Sequence, residues 1–148
     1  MDVKLIKQSD EELELVIEAD HALLNALRRS SFEIPILAID EVEFFKNDSV
    51  LYDEIIAHRL GLIPLRALSI FIKQDECSCK GKGCRKCTTQ ISLEAKGPGM
   101  IYSGDLKCKG CEPVFKDMPL VWLEPNQELM FNATARLGTA LELSLIHI

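Results

Sequence analysis

Residues 53–65 read Asp53-Glu54-Ile55-Ile56-Ala57-His58-Arg59-Leu60-Gly61-Leu62-Ile63-Pro64-Leu65. Asp53 is placed to cap a short helix over Glu54 to Leu60. Gly61 suits the C′ position and Pro64 prevents continuation. This helix is the hinge of the sequence, because the pattern differs on its two sides. Upstream, Val3 to Lys7 and Glu12 to Glu18 read as strands. In the second, Leu13, Leu15 and Ile17 face one way and Glu12, Glu14 and Glu18 the other, with a turn at Ser9-Asp10-Glu11 between the two strands. Asp20 then stands at an N-cap position before a helical segment, His21 to Ser31. Leu23, Leu24, Leu27 and Ser31 share its stripe, Arg28 and Arg29 sit in its last turns, and Pro35 limits it. Ile36 to Phe45 is a β-rich run, Asn47-Asp48 a turn, and Val50 to Tyr52 the expected return strand.

Downstream of the hinge no further helical period occurs. Ile70 to Ile72 leads into cysteines, and Thr89, Ile91 and Leu93 alternate. Gly97-Pro98-Gly99 marks a turn, and Met100 to Tyr102, Leu120 to Leu123 and Leu129 to Ala135 read as strands. Helices early and strands late indicate an α+β fold.

The 148 residues, 47% hydrophobic, support one domain or two small lobes. A net charge of −6 and a pI near 5.1 argue against a uniformly basic nucleic-acid binder. The charge is uneven: residues 1–60 carry 14 acidic and 6 basic side chains, residues 61–100 carry 3 and 7, and residues 101–148 carry 6 and 4. The basic excess therefore falls on the first cysteines, where Lys and Arg offset thiolate charge. No apolar run reaches the roughly 18 residues of a membrane helix. The start, Met1-Asp2-Val3-Lys4, lacks the apolar centre of a signal peptide, so the expectation is a cytoplasmic protein without a membrane partner.

Six cysteines without a secretory signal point to metal or redox chemistry. Cys77, Cys79, Cys84 and Cys87 lie within eleven positions, separated by glycines that let the backbone fold round an ion. Four thiolates satisfy tetrahedral zinc. An iron–sulfur cluster is disfavoured, since the usual run of C-x2-C steps is missing. A competing set, Cys84, Cys87, Cys108 and Cys111, has C-x2-C-x20-C-x2-C spacing. Local compactness favours the first set, with one structural ion. Glu54 and His58 share a helical face, but no second His, G-x-S-x-G or P-loop accompanies them, so no catalytic residue is expected. Asp40, inside an apolar run, reads as a satisfied polar residue.

Three stretches carry a resemblance: Asn25 to Arg29, Ile34 to Asp40, and above all Asp53 to Leu65. Together they resemble the α-like subunits of DNA-directed RNA polymerase, most closely in their archaeal form. This family is similar to the third-largest subunit of eukaryotic RNA polymerase II and, more distantly, to bacterial α. The cysteine loop, Tyr102 to Leu106 and Ala133 to Gly138 fit the same family. The resemblance implies that residues 1–38 are part of a dimerisation lobe and that residues 39–138 are a mostly β insert lobe with a zinc loop at 77–87. Residues 139–148 do not look like the family's continuation, which suggests a C-terminally truncated chain. It also implies a non-catalytic assembly subunit that pairs with the smaller subunit L, docks the large catalytic and small assembly subunits, and meets DNA only through the complex. The implied partner surface includes Leu23, Leu24, Leu27, Arg28, Arg29, His58 and Arg59. The rival expectation is a free-standing zinc-ribbon module that binds nucleic acid through its basic loop. Cys108 and Cys111 are not a general feature of the family.

Overall fold

The computed structural model describes residues 2–10, 12–140 and 142–143. Glu11 of the expected turn, and Leu141 and residues 144–148 of the expected tail, lie outside the described residues. The chain divides into two compact units, Met1–Ile34 and Pro35–Ile148.

In the first unit, β1 (Asp2–Gln8) and β2 (Leu13–Glu18) form an antiparallel hairpin that pairs Val3 with Ile17 and Leu5 with Leu15. Helix α1 (His21–Ser30) follows. Asp20 occupies its N-cap, but the side chain makes no capping bond; only the backbone carbonyl receives Leu24 N–H, at 3.1 Å. None of the described side chains of this unit is buried. Val3, Leu5, Leu13, Leu23 and Leu27 are 42–61% exposed.

The second unit holds the core. Its elements are β3 (Ile36–Asn47), α2 (Asp53–Gly61), β4 (Leu65–Ala67), β5 (Thr88–Lys96), β6 (Gly99–Tyr102), β7 (Lys107–Cys108), β8 (Cys111–Pro113), β9 (Pro119–Leu123) and β10 (Glu128–Gly138). An antiparallel sheet runs in the order β3-β10-β5-β7, and two small ribbons, β4-β8 and β6-β9, complete the unit. The period of two in β10 buries Leu129, Phe131, Ala133 and Ala135; β5 buries Thr89, Ile91 and Leu93. Helix α2 lies against β3 and β9, with Ile56 and Leu60 fully buried and Ile63 just beyond it. Phe44 and Phe131 meet at 5.6 Å between ring centroids.

Three local expectations are corrected. Val50 to Tyr52 is not a strand. The Asn47 amide donates to Leu51 O (2.9 Å) and to Asp53 Oδ1 (2.7 Å) and accepts from Ser49 N–H, which locks this stretch into a loop. Tyr52, not Asp53, is the N-cap of α2, and Asp53 is its first helical residue. Gly61 closes the helix from inside rather than standing past its end; the C-cap is Leu62.

Candidate metal centre

The loop between β4 and β5 is built by tight turns. Lys80 N–H donates to Cys77 O at 3.0 Å, and Cys87 N–H and Thr88 N–H both donate to Cys84 O, at 3.0 and 2.9 Å. Gly81 and Gly83 take φ of 80° and 76°, a left-handed conformation that side-chain-bearing residues rarely adopt. Two ties hold the loop down: Ile72 N–H to Lys86 O (2.9 Å) and Gln74 Nε2–H to Gly81 O (2.8 Å). Because β5 begins directly after Cys87, the last sulfur is fixed by the central sheet.

These turns aim four sulfurs inward. The Sγ atoms of Cys77, Cys79, Cys84 and Cys87 all lie within 4.8 Å of one another. Cys77 to Cys84 and Cys79 to Cys87 are 3.5 Å, and Cys84 to Cys87 is 3.7 Å. A tetrahedral ion with sulfur bonds of about 2.3 Å sets sulfur–sulfur edges of about 3.8 Å, so the donor set fits such an ion closely. The cysteines are unbridged. Their protons are unequally held. Burial pushes the Cys87 thiol up to about 12. Burial also raises Cys79, but hydrogen bonds from Cys77, Cys87 and Cys84 outweigh it and bring Cys79 down to about 7. The Lys86 backbone N–H, then Cys77, lower Cys84. One cation at the centre would replace all of these shared protons, so binding couples to proton release.

Cys108 and Cys111 lie outside this group. Cys108 ends β7 opposite Ile91 of β5, Cys111 begins β8 opposite Ala67 of β4, and Gly110 turns between them at φ 83°. A cleft of about 700 Å³ lies between the two Cys-x2-Cys turns, lined by Arg85, Thr88 and Gln90 on one side and Lys109 and Gly110 on the other.

Of the expected partner residues, Leu23 and Leu27 of α1 are exposed and Leu24 is half-buried. The Arg28 guanidinium donates to Asn25 Oδ1 (2.8 Å) and lies 5.7 Å from the Phe32 ring centre. Arg29 and His58 are exposed. Arg59 sends Nη1 to Leu120 O of β9 at 2.6 Å, an intramolecular role that sequence reasoning did not foresee. Asp40 accepts from Arg136 Nε at 2.6 Å, as a satisfied polar residue should. Gln74 and Thr88, which brace the loop, carried no signal in the sequence beyond their place beside the cysteines.

An antiparallel β lobe with a loop whose four sulfurs can fill a tetrahedral ion's coordination has the donor set of a structural metal site. The chain belongs to the RNA polymerase Rpb3/RpoA insert domain family, whose model matches residues 37–145. It is 44% identical over 140 residues to DNA-directed RNA polymerase subunit Rpo3 of Pyrococcus horikoshii, covering 92% of this chain and 52% of that protein. The subunits of the same name from Methanothermobacter thermautotrophicus (39% over 150 residues; 96% and 56%) and Archaeoglobus fulgidus (38% over 146; 95% and 55%) are also similar. The chain thus spans about half the length of the curated relatives it matches. A free-standing ribbon is not favoured by these matches. Among the described residues, no helix is long and apolar enough to cross a membrane.

Proposed function

We propose that this chain serves as part of a non-catalytic assembly subunit of DNA-directed RNA polymerase in the cytoplasm. Residues 1–38 contribute to a dimerisation lobe for the smaller α-like subunit L. Residues 39–138 form the insert lobe, which docks the large and small subunits, and DNA is met only through the complex. The ion held by Cys77, Cys79, Cys84 and Cys87 is zinc, in a structural role. Four thiolates and a closed tetrahedron suit zinc, and the ion supplies stiffness rather than chemistry.

The observation that carries this reading is the first unit's apolar face. A hairpin and a helix that bury none of their described side chains have the character of one layer of a two-layer lobe. Supporting it, the relatives are named as polymerase subunits. The test grafts residues 1–138 onto the remaining C-terminal part of the Pyrococcus horikoshii relative and measures binding to its subunit L. The chimera should bind at least tenfold more tightly than the 148-residue chain, and Leu23→Asp with Leu27→Asp should abolish binding. Undiminished binding by that double variant would refute the assignment of α1 to the interface.

A further inference from the structure

We propose that the cleft between the two Cys-x2-Cys turns is a docking site for an acidic peptide segment of a protein partner, which places a carboxylate between Arg85 and Lys109. At about 700 Å³ the cleft is large enough for several peptide side chains. Arg85 reaches it from the metal loop and Lys109 from the turn between β7 and β8, and no carboxylate lines the space. Among the described residues neither cation has an ion-pair partner. The hydroxyls are sorted. Thr88 donates to Cys84 O at 3.2 Å and Thr89 donates to Lys109 O, so both of these hydrogens are spent inside the protein. Ser69, on the rim beside Gly110, keeps its hydroxyl for a ligand. The Arg85 guanidinium, the Lys109 ammonium and the Ser69 hydroxyl are together the complement of a carboxylate. Gln90 adds an acceptor: it gives Nε2–H to Thr134 Oγ1 at 3.0 Å and keeps its carbonyl oxygen. A peptide supplies both partners, a side-chain carboxylate for the donors and a backbone N–H for Gln90. Gly83 and Gly110, both at left-handed φ, leave the rims without side chains, so a peptide backbone can come close.

The metal centre does not cancel this charge. On the proposed zinc reading the centre is a dianion, and Lys80, Lys82, Arg85 and Lys86 of the same loop outweigh it. A nucleic-acid strand is the poorer occupant. Its affinity grows with the number of phosphates neutralised, and the cations of this cleft neutralise few. A phosphate ladder leaving the cleft past Gln90 would also meet Glu41, in a hollow of about 340 Å³ that shares Gly83, Thr88 and Gln90 with the cleft. A peptide that is acidic only where it enters the cleft meets no such conflict.

The experiment titrates the zinc-loaded, nitrogen-15-labelled 148-residue chain with an acetylated hexapeptide of alternating Glu and Leu and follows the amide resonances. The expected result is saturable shifts at Arg85, Gln90 and Gly110, with binding at least about tenfold weaker when Gln replaces Glu in the peptide. Arg85→Glu with Lys109→Glu should weaken binding by at least about tenfold, whereas Arg85→Lys with Lys109→Arg should stay within about threefold of the wild type. The proposal is overturned if the amides around the cleft do not shift, or if the Gln peptide binds as well as the Glu peptide. It is equally overturned if a hexanucleotide of thymidine binds more tightly than the Glu peptide, which would assign the cleft to nucleic acid. The wild-type comparison of the probes decides the question even where a variant loses its zinc. The charge reversal should leave binding of subunit L by the chimera unchanged, so this site and the dimerisation reading stand or fall separately.

Discussion

Glu128 stands between two lysines from the strands on either side of its own: Lys96 of β5 at 2.8 Å and Lys46 of β3 at 2.9 Å. Hydrogen bonds from Lys96, then from Lys46, hold its carboxyl down at about 2. Its folded pKa lies below the unfolded value, so the contribution to stability is fully present above about pH 4.5 and is lost as pH falls through the folded pKa. Urea unfolding across this window should show the wild type losing its advantage over Glu128→Gln between roughly pH 4.5 and 2, with a constant difference above pH 5. A difference that is flat down to pH 2 would contradict the assignment. Arg59 and His58 separate two roles that adjacent residues can play. Arg59→Ala removes the donor to Leu120 O and should cost about 1–2 kcal/mol, read by denaturant unfolding with Trp122 fluorescence. His58→Ala, at an exposed helix position, should change stability by less than about 0.5 kcal/mol.

At the scale of elements, the two helices look alike in sequence and differ in burial. Helix α2 drives Ile56 and Leu60 into the core, whereas Leu23 and Leu27 of α1 stay exposed. Phe131→Ala, in the middle of β10, should cost about 3–5 kcal/mol, while Leu27→Ala in the isolated chain should cost under about 1. Apolar periodicity shows which face of a helix seeks burial, not whether the cover lies within the same chain; that is why the α1 stripe was readable and its role was not. The alternations of β5 and β10 were legible because each runs for nine or more residues with a buried period of two. Strands β4, β7 and β8, of three, two and three residues, are too short to show a period. They exist because neighbouring segments offer them partners. Val50 to Tyr52 misled for the converse reason, since a single Asn47 side chain takes the backbone bonds that a strand would need. The cysteine loop was the most legible feature, because metal spacing is local and survives whatever the distant chain does. It also admits the sharpest test. Cys77→Ser/Cys79→Ser should reduce bound zinc from one ion per chain to none by metal analysis, and zinc retained by that variant would mean the ligands are elsewhere.

For the whole molecule, the question is how far the metal loop and the core depend on each other. The core cluster joins β3, α2, β5, β6, β9 and β10 through Leu37, Ile56, Ile91, Ile101, Leu123 and Phe131, and it includes none of the four cysteines of the loop. Cys77 and Cys87 are buried but are not members of this cluster. On the proposed zinc reading, an emptied site leaves four sulfurs to compete for protons inside a loop that holds Gly81 and Gly83 at left-handed φ. The cluster keeps all its contacts. Native-state hydrogen exchange on the chelated protein should then show a divided response. Amides of residues 77–88 should exchange at least tenfold faster. Amides of Leu129 to Ala135 in β10 should change by less than about twofold, and those of residues 2–34, with no buried side chain among those described, should be fast with or without the ion. A parallel loss of protection in β10 would show instead that the ion holds the lobe together as a whole. In that case the loop would be a keystone of the fold, and Cys77→Ser would have to destabilise the chain as much as Phe131→Ala.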